Sequence, residues 1–241
     1  METVLVLGAT SDIGIAIAKK FAAAGYGIQL AARTPAQLEA LRSDIEIRYK
    51  VPCSAYQFDA LDYSSHASFF NGLKPDITIT IFGVMYEEDD AFAEWTLAEK
   101  MISTNYTGAV SILNIAARHY IAQQKGAIIG ISSVAGDRGR ASKLIYGSSK
   151  AAFTAYLAGL RNKCFKDKVH VMTVKPGFVY TRMTENMPLP KPLTSTPDEV
   201  AAIVYAGFTK KKNTIYVKWF WRYIMLIIKN IPEFQFKKMK L

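Results

Sequence analysis

Cysteine, long apolar runs and acidic charge are all scarce in this 241-residue chain. Its two cysteines, Cys53 and Cys164, are too few for a disulfide framework or a metal knuckle, so we expect a reducing compartment and no metal site. The longest apolar stretch near the C-terminus, 219–228, contains Arg222 and falls well short of the roughly 20 residues of a membrane-spanning helix. No charged segment precedes the first apolar run, which predicts a cytoplasmic protein without a signal peptide.

Positive charge is concentrated at one end of the chain. The formal net charge is +10, but nine Lys or Arg and a single Glu fall within 208–241, which leaves +2 for everything before it. A nearly neutral body has no long-range attraction for polyanions, so a nucleic-acid partner is not expected. The basic C-terminal end bears instead on the location of the protein in the cell.

Short β-branched runs alternate with longer helical patterns, which predicts an α/β domain with a parallel sheet and helices on both faces. Three prolines within 184–196 exclude a regular helix there and predict a surface loop. The seven strand candidates are 3–7, 28–31, 54–58, 77–81, 127–132, 170–174 and 214–217. The helix candidates are 13–24, 35–49, 65–71, 92–124 with a break, 146–166 and 197–208.

A glycine-rich turn, Gly8-Ala-Thr-Ser-Asp-Ile-Gly14, follows the first strand candidate and opens the first helix. In that context backbone amides can approach the pyrophosphate of a dinucleotide, although a tight turn without a ligand is the alternative. Together with the alternating pattern, the turn predicts a single Rossmann-type, doubly wound domain of about seven strands over residues 1–217.

Two charged residues at strand ends bear on the adenosine half of such a ligand. Arg33 follows the second strand with no neighbouring carboxylate, which favours the 2′-phosphate of NADP(H) and leaves NAD(H) possible; a solvated helix-cap charge is the alternative. Asp59 follows the third strand and could accept a hydrogen bond from the adenine amino group or cap a helix.

Three side chains suit proton and hydride chemistry on a carbonyl. Tyr146 and Lys150 are four residues apart at the start of a helix candidate and share one face. A nearby ammonium would lower the phenol pKa towards the working range. Ser133, at the end of the fifth strand, could donate a hydrogen bond to an oxygen that gains negative charge.

With these motifs in combination, the sequence resembles the short-chain dehydrogenase/reductase family over residues 3–217. The resemblance implies that Tyr146 is the general acid, that Lys150 lowers its pKa and holds the nicotinamide ribose, that Ser133 orients the substrate oxygen, and that Asn105 positions a proton-relaying water. The thirteen-residue spacing to Tyr146 selects Ser133 over Ser132. The implied cofactor-binding residues are Gly8, Thr10, Ser11, Ile13, Gly14, Arg33, Asp59, Ala60, Phe82, Gly83, Tyr146, Lys150, Pro176, Gly177, Val179 and Thr181.

Three positions depart from the family pattern. Asp12 replaces a glycine of the turn, and we expect its side chain to point away from the pyrophosphate and cap the first helix. The stretch Thr80-Ile-Phe-Gly83 keeps only the final glycine of the usual Asn-Asn-Ala-Gly, and Leu7 stands where threonine is usual. None of these changes removes a proton-handling group, so a working oxidoreductase is expected.

The last segment, 218–241, is read as a separate basic, aromatic tail. Its helical pattern before Pro232 is typical of a helix in an anionic membrane interface; packing on the body or on a partner subunit is the alternative. The turn Gly8–Gly14, the pair Phe82-Gly83 and the basic ending that begins Ile231-Pro-Glu-Phe234 together show a weaker resemblance to the branch of decaprenylphosphoryl-2-keto-ribose reductases. That resemblance implies a keto-sugar carried on a polyprenyl phosphate.

Two other functions stay open: a soluble carbonyl or 3-oxoacyl reductase with an apolar lid at 183–193, and a nucleotide-binding regulator without turnover. The family resemblance also implies a homodimer or homotetramer that associates through 92–124 and 146–166. The protein is expected in the cytoplasm, and its basic tail favours the cytoplasmic face of the membrane.

Overall fold

The computed structural model describes residues 1–185 and 188–239. Its strands are β1 (Thr3–Leu7), β2 (Gly27–Ala32), β3 (Cys53–Gln57), β4 (Ile77–Thr80), β5 (Ala127–Ile131), β6 (His170–Lys175), β7 (Phe178–Val179), β8 (Thr194–Ser195) and β9 (Thr214–Tyr216). Its helices are α1 (Asp12–Ala22), α2 (Glu39–Tyr49), α3 (His66–Leu73), α4 (Glu88–Ala93), α5 (Trp95–Ile102), α6 (Ala109–Gln123), α7 (Leu144–Cys164), α8 (Pro197–Thr209), α9 (Phe220–Asn230) and α10 (Glu233–Phe236).

Seven of the strands form one parallel sheet in the order β3-β2-β1-β4-β5-β6-β9. Alternate residues of β1 enter different hydrophobic clusters, because successive side chains of a strand point to opposite faces. Val4 and Val6 pack with α1 and α8 on one face, whereas Leu5 and Leu7 pack with α6 and α7 on the other. The predicted doubly wound, Rossmann-type α/β fold is confirmed.

The long helix predicted over 92–124 is several shorter elements. Helices α4 and α5 separate at Glu94, whose backbone is extended, and a π-helical turn over Ser103–Gly108 lies between α5 and α6. The predicted break is therefore real. It takes the form of a π turn, which widens the helix by one residue and often marks a functional site.

The segment after β6 is more ordered than a plain surface loop. The two-residue strands β7 and β8 pair in parallel, with Phe178 opposite Thr194 and Val179 opposite Ser195. The sequence contains no apolar run long enough to predict either strand. Residues 186 and 187 of the predicted apolar lid lie outside the described residues, as do residues 240 and 241 of the tail.

The tail packs one side of α9 against the body of the protein. Trp221 and Met225 are buried with Val134 in a small cluster that also contacts Phe178. Arg138 holds the far end of the helix, because its Nη1 donates hydrogen bonds to the carbonyls of Ile228 and Ile231, each at 2.6 Å. No described helix is long and apolar enough to cross a membrane.

Both cysteines are buried and unpaired, as their small number predicted. Among residues 1–185 and 188–239, no group of three or more His, Cys, Asp or Glu side chains is arranged to hold a metal ion.

Candidate active site

A cleft of about 410 Å³ opens where β1, β4, β5 and β6 end, at the carboxyl edge of the sheet. Ligands of doubly wound sheets bind at this edge, where the connections to both faces diverge. The cleft brings together Ser133 and all the predicted cofactor-binding residues except Gly14. Neither Gly14 nor Asn105 is among the residues that line it. The residues that it unites are Gly8, Thr10, Ser11, Ile13, Arg33, Asp59, Ala60, Phe82, Gly83, Ser133, Tyr146, Lys150, Pro176, Gly177, Val179 and Thr181.

The glycine-rich turn is held in a conformation that only glycine adopts without strain. Gly8 has φ +93°, and a Cβ at this position would lie 2.6 Å from the backbone nitrogen of Phe82. The Ser11 hydroxyl donates to the Gly8 carbonyl at 2.8 Å and accepts from the Gly14 amide at 3.1 Å. Ser11 is therefore the N-cap of α1.

Asp12 does not cap α1, contrary to the prediction, because Ser11 already occupies that role. Its carboxylate reaches across the cleft to the segment after β7. There Asp12 Oδ2 accepts from the Arg182 backbone amide at 2.8 Å, and Asp12 Oδ1 lies 3.3 Å from Arg182 Nε. The Arg182 guanidinium also donates to the Thr10 carbonyl. Sequence reasoning missed Arg182, since nothing near it in the chain points to this contact.

Arg33 lines the cleft and also a polar depression beside it. The other residues of that depression are Thr10, Ala32, Thr34 and Gln37, none of them acidic. An arginine among hydroxyl and amide groups is suited to a phosphate. Arg33 precedes the short 3₁₀ turn Pro35–Leu38 and is not its N-cap, which is Thr34.

Asp59 folds its carboxylate back onto its own turn. The Leu61 amide donates to Asp59 Oδ1 at 2.9 Å, while α3 begins only at His66. Asp59 is thus not a helix cap. Asp59 and the adjacent Ala60 both line the cleft.

Tyr146, Ser133 and Lys150 meet at the inner end of the cleft. Burial raises the pKa of the Tyr146 phenol to about 12, while a hydrogen bond with Ser133 acts in the lowering direction. Burial lowers the pKa of Lys150 to about 8. The net shift of Tyr146 is opposite to the one predicted, because loss of hydration outweighs its neighbours. Lys150 Nζ lies 5.9 Å from the Tyr146 ring centroid.

The two serines at the end of β5 have different partners. Ser132 donates to the Lys150 carbonyl at 3.0 Å and lies 2.7 Å from the Thr154 hydroxyl, so it ties β5 to α7. Ser133 accepts from the Ala135 amide at 3.1 Å and bonds Tyr146. This arrangement leaves Ser133 as the hydroxyl beside the phenol.

Asn105 sits in the π turn and is almost completely buried. Its Oδ1 accepts from the Val84 amide at 2.8 Å, and its Nδ2 donates to the Val84 carbonyl at 2.9 Å and to Ser149 Oγ at 3.1 Å. These bonds join the segment after β4 to α7. The water relay implied for Asn105 stays a prediction.

The segment from Pro176 to Thr181 forms the remaining wall. The Val134 amide donates to the Pro176 carbonyl at 3.0 Å, which joins it to the segment that carries Ser133. A Cβ on Gly177 would lie 2.1 Å from Trp221 Cε2, so only glycine allows the tail to pack here. Trp221 Nε1 also donates to the Leu193 carbonyl at 3.2 Å. The tail is therefore part of the support of the site.

The cleft fits a nicotinamide dinucleotide on its own geometry. It is continuous from Arg33 past the glycine-rich turn to Tyr146. Gly8 and Gly177 both line it without a side chain, and the start of α1 offers amides to a pyrophosphate.

The chain is similar in sequence to known proteins of one family. The family model described as short chain dehydrogenase matches residues 2–191. A protein of Streptomyces coelicolor named as an uncharacterized oxidoreductase is 33% identical over 248 residues, covering 99% of this chain and 96% of that protein. A similarly named protein of Mycobacterium tuberculosis is 29% identical over 241 residues, covering 98% and 96%.

The fold recurs in a solved short-chain dehydrogenase of Sphingobium yanoikuyae in complex with NADPH, with a TM-score of 0.84, 23% identity and 97% of both chains covered. The matched family model and the relative at 33% identity span most of the chain. The chain therefore belongs to the short-chain dehydrogenase family and is an NAD(P)-dependent oxidoreductase that acts on alcohol or carbonyl groups.

Proposed function

We propose that this protein is an NADPH-dependent reductase of a carbonyl carried on a lipid at a membrane surface, and that the carbonyl belongs to a keto-sugar linked to polyprenyl phosphate. The observation that carries the proposal is the position of α9. Its inner side packs on Gly177 in the wall of the cleft, while its outer side is apolar and exposed.

The residues of the cleft can complete such a reduction. When bound, the nicotinamide supplies the hydride that adds to the carbonyl carbon. Ser133 donates a hydrogen bond to the carbonyl oxygen, and Tyr146 gives that oxygen a proton, so the C=O double bond becomes an alcohol. At neutral pH a phenol with a pKa of about 12 is protonated and ready to act as the acid.

NADPH is favoured over NADH by the surroundings of Arg33. A 2′-phosphate would meet a guanidinium, two threonine side chains and one glutamine, and no carboxylate of the depression would repel it. The NADPH bound to the Sphingobium yanoikuyae relative is consistent with this preference.

The outer side of α9 supports a membrane contact. Trp219, Tyr223, Leu226 and Ile227 share this side and are 56–75% exposed. Arg222 lies at its edge and is exposed, as is Lys229 in the last turn of the helix. An apolar strip with flanking cations suits the headgroup region of an anionic bilayer, where aromatic rings and basic side chains both find favourable surroundings.

The decisive experiment measures NADPH oxidation with a polyprenyl-phosphate-linked keto-sugar, a soluble ketone and a 3-oxoacyl thioester, each with and without anionic vesicles. We expect turnover of the lipid-linked ketone that requires vesicles and is lost in Tyr146→Phe by roughly 100-fold or more. Turnover of soluble ketones alone would replace this substrate with a soluble carbonyl. NADPH binding without turnover of any ketone would favour a regulator.

Vesicle sedimentation tests the membrane contact separately. Ile227→Glu should weaken binding to phosphatidylglycerol vesicles by roughly tenfold or more, because a carboxylate opposes both the apolar and the electrostatic contribution. Ile47→Glu is the matched control, since Ile47 is also exposed but lies on α2. Equal binding of both variants would refute the contact.

Self-association is part of the proposed assembly. Large apolar side chains are exposed on or next to the helices through which family members associate, namely Phe92 on α4, Trp95 on α5 and Phe165 after α7. Burial of such side chains is typical of a homo-oligomer interface. Sedimentation velocity measures the oligomeric state of wild type and of Trp95→Glu. A monomeric wild type that the substitution leaves unchanged would contradict the proposed association.

A further inference from the structure

We propose that Arg182 is a cofactor-binding residue whose guanidinium receives the pyrophosphate and is held by Asp12 until the pyrophosphate arrives. The proposal rests on the NAD(P) dependence of the enzyme but not on its substrate. It accounts for a polar contact across the cleft that the family pattern does not explain.

Asp12 and Arg182 close the cleft over the glycine-rich turn. Asp12 is the first residue of α1, and Arg182 belongs to the turn after Thr181 on the other wall. Two contacts from Asp12 and one from the Thr10 carbonyl hold Arg182 there. The guanidinium thus lies beside the first turn of α1, where amide groups and the helix dipole favour a phosphate.

The negative charge of Asp12 beside the first turn of α1 requires a cation as its partner. A carboxylate at Asp12 would repel a pyrophosphate bound at the start of the same helix. Arg182 neutralises Asp12 in the free protein. When a pyrophosphate is bound, the guanidinium can turn from the carboxylate towards phosphate oxygens, which accept the same planar pair of N–H donors.

The Asp12–Arg182 pair is also exposed enough for a phosphate to replace the carboxylate as the partner of the guanidinium. The Arg182 side chain is 66% exposed and Asp12 30%, so water competes for both charges and the ion pair itself is weak. A strongly bound pair would block the cleft, whereas a weak one can yield to the pyrophosphate.

Two nucleotide fragments separate the phosphate sites without any turnover. ADP carries the pyrophosphate but no 2′-phosphate, and adenosine 2′-monophosphate carries the reverse. By calorimetric titration, Arg182→Met should weaken ADP by roughly 10- to 100-fold and leave adenosine 2′-monophosphate unchanged. Arg182→Lys should recover part of the ADP affinity, and Asp12→Asn should bind ADP at least as tightly as wild type.

The matched control is Arg48→Met. Arg48 is 64% exposed and pairs with Asp44, which is 28% exposed, so the control removes an equal charge from a nearly identical surface pair on α2. If Arg48→Met and Arg182→Met lose ADP equally, long-range charge explains the effect and the proposal fails. If Asp12→Asn loses ADP affinity as Arg182→Met does, the pair is only a structural tie.

Wild type that binds neither fragment would overturn NAD(P) dependence itself. Wild type that binds both fragments but reduces no lipid-linked ketone would leave the proposed role of Arg182 intact and reject only the proposed substrate.

Discussion

The two ends of the cleft are built from different kinds of sequence. The adenosine and pyrophosphate end comes from turns that directly follow β1, β2 and β3, so its groups are close to recognisable strands. At the end proposed for the nicotinamide, the wall includes Gly177, which packs against Trp221 of the tail. Local sequence therefore identifies most residues of the first end, whereas the wall of the second end depends on long-range packing against the tail.

The largest expected effect is at the tail-supported end. Trp221→Ala should lower the free energy of unfolding by roughly 3–5 kcal/mol, because it removes a buried ring from the wall behind Gly177. It should also slow NADPH oxidation, since that wall loses its support. Chemical denaturation and steady-state rates measure both.

The comparison variant is Tyr223→Ala on the exposed side of α9, which should change the free energy of unfolding by about 0.5 kcal/mol or less. Similar small losses in both variants would mean that the tail does not support the cleft.

Lys150 lies beside Tyr146, and its charge is buried at a cost to stability. Its pKa falls from 10.5 to about 8, so between these values the unfolded chain holds a proton that the folded chain has lost. Wild-type stability should therefore gain a contribution as the pH rises from about 8 to 10.5. Lys150→Met should lack this gain, and at pH 7 it should be more stable by roughly 1–3 kcal/mol yet inactive.

Denaturation curves of wild type and Lys150→Met at neutral and alkaline pH test this sign. A variant less stable than wild type at pH 7 would show that Lys150 contributes more through its hydrogen bond to Ile131 than its burial costs.

The smallest effect concerns the adenosine end. Arg33→Ala should raise the Kd of NADPH about tenfold and leave that of NADH unchanged, because only NADPH carries the 2′-phosphate. Fluorescence titration of both cofactors gives the two constants. Equal losses for the two would remove the argument for NADPH.

Much of the fold could be predicted because its signals are local. The seven strands of the sheet fall within a few residues of their predicted positions, since apolar β-branched runs separated by helical periods have few other solutions. The glycine-rich turn and the spacing of Tyr146 and Lys150 also indicated most of the residues that line the cleft.

The errors and omissions have a common cause. Asp12 was predicted to cap α1 from its position in the chain, but Ser11 fills that role and Asp12 contacts Arg182 from a distant turn. The pKa of Tyr146 was predicted from its neighbour, but burial decides its direction. Strands β7 and β8 are too short to have a pattern of their own.

The sequence by itself determined the parallel sheet, the cofactor turn and the order of the reactive side chains, because these depend on periodicity and on residues within a few positions of one another. Only the tertiary structure decided which side of α9 is buried, which residue pairs with Asp12 and how strongly Tyr146 is desolvated. Those properties arise from groups that are far apart in the chain and meet only when the sheet and its connections have closed around the cleft.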